Sequence, residues 1–444
     1  MPNWGVDLAQ LPDLAEQACQ VPIVRRYGRV VGVTGLVVEV AGLENVALGN
    51  RATIAMPRGS LPAEVIGYKG NTTMLMPFGA LAGVGAGQRV YPDDAPPTAR
   101  VNQSWLGRVL NGLGEPLDNK GPLAALGGEK MPLRASPPPA FTRQPIGPML
   151  DVGVRILNTA LPLCEGQRLG IFAGSGVGKS VLMGMLARHS KADVNVIGLI
   201  GERGKELNEF LHEQLGPEGL ARSVVITATG DEPPLMKRQA AYLTLAVAEY
   251  FRDCGFKVLL MMDSVTRLAQ AQREIGLAGN EPPTTRGYTP SVFAELPRLL
   301  ERAGPGVGKG SISGIFTVLV EGSDMEEPVA DAVRGILDGQ IVLTRTLAER
   351  GHFPAVDVLQ SVSRTVPKCL TPEQNTQVQH LRGIMATYND MAELIRLGAY
   401  TQGTDPAVDE AIRLMPALES WLRQQPDEGA DQASSWQGLA NALQ

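Results

Sequence analysis

The chain has 444 residues, of which 44% are hydrophobic and 19% are charged, and its formal net charge is −6. This length allows two to three domains, and the mildly acidic balance argues against nucleic acid as the main partner, since such proteins usually carry a basic excess. The four cysteines are far apart and show no CxxC spacing, which argues against a disulfide framework or a cysteine-bound metal and favours a reducing cytoplasm. We expect no membrane-spanning helix, because no run of 18 apolar residues exists, and no secretory signal at the N-terminus.

Residues 1–20 predict a short amphipathic arm, because leucines recur at helical spacing from Leu8 to Leu14, although a frayed terminus is the alternative. Residues 21–95 contain short apolar stretches separated by Gly, Pro and Asn. This pattern predicts a small antiparallel β-domain that closes as a barrel. The predicted strands are Arg29–Val33, Leu36–Val40, Ala52–Met56, Glu64–Ile66 and Thr73–Met76. Pro92–Pro96 is predicted to be a linker.

Between residues 96 and 366, near-continuous apolar strands alternate with helical segments. Strands of this composition are buried on both faces, so the pattern predicts a parallel sheet that is covered by helices on both sides. The predicted strands are Arg168–Phe172, Asn195–Leu199, Ser223–Thr227, Val258–Met262, Ile315–Val320, Gln340–Leu343 and Ala355–Val358.

Residues 367–444 are predicted to form a C-terminal helical domain. Thr371–Gln374 has the form of a capping box with proline at the first helical position, and apolar residues follow at helical spacing. A second helix is predicted to begin at Asp405-Pro406. The tail after Pro426 is polar, and we expect it to be loose.

The strongest local motif is the run AGSGVGKS, from Ala173 to Ser180, which follows an apolar strand and precedes a helical segment. Its glycines allow backbone N–H groups to surround phosphate oxygens, and the N-terminus of the next helix favours an anion. We expect Lys179 to reach the β- and γ-phosphates and Ser180 to bind Mg²⁺. The predicted nucleotide-binding residues of the loop are Gly174, Ser175, Gly176, Val177, Gly178, Lys179, Ser180 and Val181.

A second glycine-rich run, from Gly304 to Ser311, also contains the letters GVGK. It lacks the serine or threonine that follows the lysine in a phosphate-binding loop, and no apolar strand immediately precedes it. We therefore interpret it as a mobile loop that faces the pore of a ring, and we expect deletion of Gly306–Gly310 to leave nucleotide binding intact.

Two further strands are predicted to end in acidic residues. Val258–Asp263 is an apolar strand that would bring Asp263 to the carboxyl edge of the sheet, where it could join the Mg²⁺ shell. Arg267, one helical turn later, is a candidate phosphate contact, with an ordinary surface charge as the alternative. The other strand ends in Gly201–Arg203. One oriented acid suffices to activate water, and spacing alone leaves Glu202, Glu206 and Glu209 as candidates.

Several stretches, in the right order between about residues 20 and 430, together resemble the catalytic subunits of F1/V1-type rotary ATPases. These stretches are Gly107–Asp118, Gly201–Arg203, Val247–Asp253 and Pro354–Asp357 with Ser361 and Ser363. The resemblance implies an α/β fold: a RecA-like P-loop core, an N-terminal antiparallel β-barrel and a C-terminal α-helical domain. It also implies an ATPase that binds ATP and Mg²⁺ and forms a homohexameric ring with active sites at the subunit interfaces.

The resemblance also implies roles for individual residues. Glu202 matches the acid that activates water, with Arg203 beside it in the same motif, and Phe353 matches the ring that packs against adenine. Arg364 matches an arginine finger that reaches into the site of a neighbouring subunit, where such a finger contributes about 10³ to 10⁵ in rate. The catalytic residues predicted in this way are Lys179, Glu202, Arg203, Asp263, Arg267 and Arg364. The predicted Mg²⁺ ligands are Ser180 and Asp263.

Further stretches resemble the ATPases of bacterial flagellar or type III protein export. They are Met261–Arg267, Gln272–Ala278, Glu281–Tyr288, Leu299–Arg302, Val318–Asp324 and Ala332–Gly339. Gln272–Ala278 favours the flagellar branch over virulence-type secretion. Two positions depart from the family pattern: Asn158 stands where the family commonly has Asp, and Ser323 where this branch often has a second acid.

The resemblance implies partners besides the chain itself. They are a stator-like regulatory protein at the N-terminal arm, a coiled-coil stalk protein in the pore, and export chaperones with their cargo at the C-terminal domain. The resemblance also implies that the protein acts in the cytoplasm, peripheral to a membrane export gate. No nucleic-acid partner is expected.

Several alternative functions remain open on the sequence alone. They are a virulence-type type III secretion ATPase, the catalytic subunit of a rotary ATP synthase, a ring-shaped RNA translocase and a non-catalytic scaffold. The small number of aromatic residues in the β-domain argues against the translocase, and the presence of both Glu202 and Arg364 argues against the scaffold.

Overall fold

The computed structural model describes residues 26–93, 95–123, 128–320 and 324–444. The predicted arm at 1–20 and the family departure at Ser323 lie outside these residues. The chain divides into two compact units, Met1–Pro96 and Pro97–Gln444. The predicted domain limits at residues 20, 95 and 366 stay predictions.

The first unit contains a closed barrel, as predicted. Its six antiparallel strands lie in the order β1-β2-β5-β4-β3-β6, and alternate side chains fill the interior, including Val38, Ile54 and Leu75. The strands are β1 Gly28–Thr34, β2 Val37–Ala41, β3 Arg51–Ala55, β4 Ser60–Lys69, β5 Thr72–Pro77 and β6 Arg89–Pro92. The sequence pattern missed β6, which has four residues and ends on the Pro92 that was predicted to begin a linker. Its pairing with both β1 and β3 closes the barrel.

The second unit is built on a nine-stranded sheet, with a separate ribbon of β7 and β9. The strands are β7 Thr98–Val101, β8 Arg108–Asn111, β9 Glu129–Pro132, β10 Arg168–Ala173, β11 Val194–Glu202, β12 Ser223–Thr229, β13 Lys257–Asp263, β14 Gly304–Pro305, β15 Ser311–Leu319, β16 Gly339–Leu343 and β17 Val356–Ser363. The order in the sheet is β17-β16-β10-β15-β13-β11-β12-β8, with β14 paired to β15. All seven strands predicted from apolar runs are present.

The sheet is parallel, as predicted, except that the two-residue β14 pairs antiparallel with β15 and the edge strand β17 runs antiparallel to β16. A parallel return needs a long crossover, usually a helix that spans the sheet. The segment between the two strands contains only the five-residue helix α8 (Arg345–Glu349). The chain therefore turns back at the edge where β16 ends.

Helices pack on the sheet and follow most of its strands. They are α1 Lys179–His189, α2 Gly204–Glu209, α3 Gly216–Ala221, α4 Pro234–Asp253, α5 Val265–Ala278, α6 Pro290–Leu300, α7 Pro328–Ile336 and α9 Val366–Cys369. A π-helical segment, Phe210–Leu215, joins α2 to α3. Among the described residues, none of the helices combines the length and the apolar character that crossing a bilayer requires.

Three longer helices end the chain: α10 Pro372–Arg396, α11 Pro406–Leu422 and α12 Gln432–Ala442. The predicted capping box at Thr371 and Gln374 is present, and Asp405 caps α11. The expectation of a loose tail after Pro426 was wrong, because α12 buries Leu439 and Ala442 in the main core. The signal was the helical spacing of Trp436, Leu439 and Leu443 within an otherwise polar segment.

The start of α12 is fastened to the loop that precedes the P-loop strand. The Asn158 side chain donates to Asp151 Oδ1 at 2.8 Å and to the Ala430 carbonyl at 2.9 Å, and it accepts a hydrogen bond from the Val152 N–H at 3.0 Å. The amide supplies both the donors and the acceptor that these bonds need, whereas an ionised carboxylate has no donor for Asp151 and Ala430. This accounts for Asn158 where the family commonly has Asp.

We expect Leu439→Ala to lower the free energy of unfolding by about 2 to 4 kcal/mol, because it opens a cavity in a core that α12 helps to fill. Denaturant unfolding followed by circular dichroism measures this. Gln437→Ala, an exposed change in the same helix, is the control. Equal stability of the two variants would mean that α12 is not part of the folded core.

Candidate nucleotide site at the carboxyl edge of the sheet

The carboxyl ends of β10, β11 and β13 meet at one edge of the second unit. Ala173 of β10 pairs with Leu319 of β15, and Leu199 of β11 pairs with Asp263 of β13. The run Ala173–Ser180 leaves β10 at this edge and enters α1. This is the position at which open α/β sheets bind ligands.

The loop has the backbone conformation of a phosphate cradle. Gly176 and Gly178 have φ of 75° and 90°, values that a residue with a Cβ rarely adopts. Val177 is buried and anchors the loop, whereas Ser175 and Ser180 are exposed. Positive φ at these two glycines allows successive backbone N–H groups to point to one side, as a phosphate cradle requires, and Ser180 lies at the exposed end of the loop.

Three charged side chains form the centre of the site. The Lys179 ammonium donates a hydrogen bond to Asp263 Oδ1 and lies 3.4 Å from Glu202 Oε1. The three side chains are only 11%, 4% and 18% exposed, respectively. Burial by itself lowers the pKa of Lys179, but the charges of Asp263 and Glu202 outweigh it and raise the pKa above its ordinary value. Lys179 therefore stays protonated where it lies between Asp263 and Glu202.

Glu202 differs from its neighbours Glu206 and Glu209, which spacing alone could not exclude. Burial, reinforced by the charge of Asp263, raises the pKa of Glu202 to about 7. Glu206 hydrogen-bonds to Glu202, and this contact lowers the pKa of Glu206. Glu209 is 46% exposed and pairs with Lys205 at 3.3 Å. Of the three acids, Glu202 is the one in contact with Lys179, and a pKa near 7 suits a general base.

Arg203 and Arg267 are not brought into contact with this centre. The Arg203 side chain is 85% exposed and lies 3.9 Å from Glu206. The Arg267 guanidinium donates to Gln270 at 2.9 Å, while the stem of its side chain packs over Gly201. Their catalytic roles stay predictions.

Phe353 lies beside the P-loop. A Cβ placed on Gly178 would meet its ring at 3.4 Å, and the ring is 42% exposed. Its backbone carbonyl accepts a hydrogen bond from Gln424 N–H at 2.9 Å, which ties it to the residues that follow α11. A partly exposed aromatic ring next to the phosphate loop is suited to stacking on a planar base.

Arg364 lies at the opposite edge of the same sheet. Because β17 is antiparallel, Val356 pairs with Leu343 near the P-loop, whereas Ser363 pairs with Gly339 near the start of β10. The backbone N–H of Arg364 donates to Asp338 O at 2.9 Å, and its guanidinium reaches Leu337 O at 3.3 Å. The length of β10, about 16 Å at the usual rise per residue, separates Arg364 from its own P-loop.

Sequence reasoning missed Thr317. Its hydroxyl donates to Asp263 Oδ1 at 2.6 Å, and both residues are buried. The available signal was the one hydroxyl in the apolar run Ile315–Val320, but only the pairing of β15 with β13 shows what it meets.

The residues at this edge fit a nucleoside triphosphate with magnesium. Within the described ranges, no group of three or more His, Cys, Asp and Glu side chains could hold a metal ion alone. Magnesium at a nucleotide site usually takes only one or two protein oxygens, with phosphates and waters completing its shell. Ser180 and Asp263 supply such oxygens beside the cation Lys179.

Comparison with known proteins agrees with this geometry. Residues 153–363 match the nucleotide-binding domain of the ATP synthase alpha/beta family, and residues 370–441 match the C-terminal domain of the EscN ATPases of type III secretion. A flagellum-specific ATP synthase of Caulobacter vibrioides is 53% identical over 94% of this chain and 96% of its own length. A type 3 secretion system ATPase of Xanthomonas euvesicatoria is 47% identical over 94% and 93%, respectively.

Solved structures of the same kind superpose on the chain. The assembled ATPase EscN from the type III secretion system of enteropathogenic E. coli gives a TM-score of 0.87 at 39% identity, over 94% of this chain and 100% of that one. EscN in complex with its central stalk EscO gives a TM-score of 0.86 over the same shares of the two chains.

The fold and the site together define a P-loop ATPase with an N-terminal barrel, a RecA-like core and a C-terminal helical region. Within that class, the chain belongs to the family of flagellum-specific and type III secretion ATPases, a branch of the ATP synthase alpha/beta family.

We expect Glu202→Gln to abolish hydrolysis but to stabilise the nucleotide-free protein above about pH 7. The folded-state pKa of Glu202 lies above its ordinary value, so the folded protein holds an extra proton, and its free energy of unfolding falls as pH rises through about 7. Glutamine cannot ionise and removes this loss, about 1 to 2 kcal/mol at pH 8 after allowance for partial exposure.

Melting temperatures of the wild type and of Glu202→Gln at pH 5 and pH 8, without nucleotide, measure this change in stability. They should nearly coincide at pH 5 and separate at pH 8. Glu209→Gln, at an exposed position, should behave like the wild type at both. A Glu202→Gln variant that is no more stable than the wild type at pH 8 would contradict the burial of this charge.

Proposed function

We propose that this chain hydrolyses ATP with Mg²⁺ as a homohexameric ring and energises protein export by a bacterial flagellar apparatus. The observation that supports the ring most directly is the position of Arg364. Lys179, Glu202 and Asp263 lie at one edge of the sheet and Arg364 at the other. One subunit therefore cannot complete its own site, whereas a neighbour in a ring can.

The chemistry follows from the contacts at the site. Phosphates would be held by the backbone N–H groups of the loop, and the Lys179 ammonium would turn from Asp263 and Glu202 towards them. Glu202, released from Lys179, would accept a proton from the attacking water. Arg364 of the adjacent subunit would stabilise the charge on the transferred group. Ser180 and Asp263 would hold Mg²⁺, which neutralises charge on the phosphates.

Hexamer formation and a stalk partner are supported by relatives of known structure. EscN was solved as an assembled ATPase and in complex with its central stalk, and its fold covers nearly the whole of this chain. We extend both properties to this chain. The loop from Gly304 to Ser311 forms a hairpin with β15 at the edge opposite the P-loop, and we retain it as the pore-facing segment.

The remaining partners are proposed from the family alone. They are a stator-like protein bound by residues 1–20, and export chaperones with cargo bound by the C-terminal helices. The protein would act in the cytoplasm, peripheral to an export gate at the inner face of the cell membrane.

Flagellar export is favoured by the relative that is 53% identical, compared with 47% for the type 3 secretion ATPase. Virulence-type secretion is the second candidate, and the likeness to EscN supports it. The two share one catalytic site, so the choice between them depends on the cargo.

We expect Lys179→Ala and Arg364→Ala each to abolish hydrolysis, and a mixture of the two variants to regain activity. In mixed rings, about a quarter of the interfaces join an intact P-loop from one variant to an intact Arg364 from the other. Steady-state hydrolysis at several protein concentrations measures this. Arg364→Ala mixed with a chain carrying both substitutions is the control and should stay inactive. Absence of recovery in rings shown to contain both variants would overturn the interface site.

In the bacterium that carries this gene, we expect chromosomal Lys179→Ala to stop secretion of flagellar hook and filament proteins, because the lysine is needed for nucleotide binding. Immunoblots of the culture medium measure secretion, and Lys205→Ala, an exposed lysine, is the control. Normal flagellar secretion together with loss of virulence effectors from the medium would favour the second candidate.

A further inference from the structure

The hydroxyl of Thr317 is placed between the two strands that build the nucleotide site. β15 lies between β10, which leads into the P-loop, and β13, which ends at Asp263. Thr317 pairs with Ile171 of β10, and the preceding Phe316 pairs with Met262 of β13. Thr317 is completely buried, and its hydroxyl donates to Asp263 Oδ1 at 2.6 Å.

A threonine at this position needs an explanation, because Phe316 and Val318 beside it are apolar and completely buried. Valine has the same shape and would bury more apolar surface without a hydroxyl to satisfy. The hydroxyl is compatible with burial because it meets a carboxylate, and a hydrogen bond to a charged group is stronger than one between neutral groups. The hydrogen bond to the Asp263 carboxylate therefore explains why a threonine occupies this position.

The backbone around Thr317 is held in place by neighbouring strands and by α5. β15 is hydrogen-bonded along both sides, and the backbone N–H of Leu319 donates to Thr266 Oγ1 at 2.9 Å, which ties the end of the strand to α5. The backbone that carries the hydroxyl is therefore fixed by the central sheet.

Thr317 and Lys179 donate to the same oxygen of Asp263. Among the hydrogen bonds of the described residues, those of the Asp263 side chain all go to Oδ1, which leaves Oδ2 available to a metal ion or its waters. When Lys179 turns towards phosphates, the Thr317 hydroxyl is the donor that remains on Oδ1. Its contribution is therefore greatest while nucleotide is bound.

We propose that Thr317 is a positioning residue that keeps the Asp263 carboxylate oriented for magnesium after Lys179 has moved to the nucleotide. This rests on the proposed function, since it assumes that Lys179 binds phosphate and that Asp263 faces Mg²⁺. Thr317 acts through Asp263 and does not itself contact the reacting atoms.

The test compares Thr317→Val, which removes the hydroxyl and keeps the shape, with Thr317→Ser, which keeps the hydroxyl. Thr159→Val is the matched control, because Thr159 is also completely buried and its hydroxyl donates to a backbone carbonyl, that of Arg155. Three sets of measurements are made for each protein: kcat and KM for ATP, the affinity for ADP with excess Mg²⁺ and with EDTA, and the melting temperature without nucleotide.

We expect Thr317→Val to lower kcat about 10- to 100-fold, as the loss of one hydrogen bond to a charged group predicts. The gain in ADP affinity caused by Mg²⁺ should fall about 10-fold, while the affinity in EDTA should be unchanged. Thr317→Ser and Thr159→Val should resemble the wild type in kcat and in the gain in ADP affinity caused by Mg²⁺. A purely structural hydroxyl would change the melting temperature without changing the Mg²⁺-dependent part of ADP binding.

Wild-type kcat and wild-type Mg²⁺ dependence in Thr317→Val would overturn the proposal, as would a Thr317→Ser variant as defective as the valine one. If Thr317→Val shows no cooperative melting transition, Thr317→Ala decides the matter in the same assays. If the wild type itself hydrolyses no ATP, the proposed function fails, and the ADP affinities with and without Mg²⁺ still decide the role of Thr317.

Discussion

The site depends on one buried cation held between two carboxylates. Without a nucleotide, Lys179 neutralises Asp263 and approaches Glu202, three groups that would be costly to bury unpaired. The two carboxylates keep Lys179 protonated, and burial together with the charge of Asp263 raises the pKa of Glu202 to about 7 although Lys179 opposes this rise. A phosphate that draws Lys179 away therefore changes the charge balance of both acids at once. The roles proposed for Lys179 in nucleotide binding and for Glu202 in the activation of water are therefore linked through this ammonium group.

A second constraint is the direction of one edge strand. Because β17 turns back antiparallel to β16, it begins just after Phe353 beside the P-loop and ends just before Arg364 at the opposite edge. A single rigid strand thus connects the residue proposed to stack on this subunit's base with the residue proposed to reach a neighbour's phosphates. The proposed completion of the site by a second subunit follows from this topology.

The C-terminal region is tied to the core near the same site. Gln424 is only 4% exposed. Its side chain donates to Gly153 O at 2.8 Å and accepts from Arg155 N–H at 2.8 Å, and its backbone N–H donates to Phe353 O. Asn158 adds its bonds to Asp151 and Ala430. The residues after α11 therefore contact both the segment that precedes the P-loop strand and the backbone of Phe353.

Features that depend on neighbouring residues could be predicted from the sequence: the glycine loop with Lys179, the apolar strands that end at Glu202 and Asp263, and the capping box at Thr371. These require only local backbone conformation and side-chain chemistry, and a resemblance to known ATPases extended them to the domain order. The tertiary structure alone decided that Thr317 meets Asp263, that Arg364 lies away from its own P-loop and that α12 packs in the core. Each of these depends on which distant segments become neighbours and in which direction a strand runs, which no local pattern encodes.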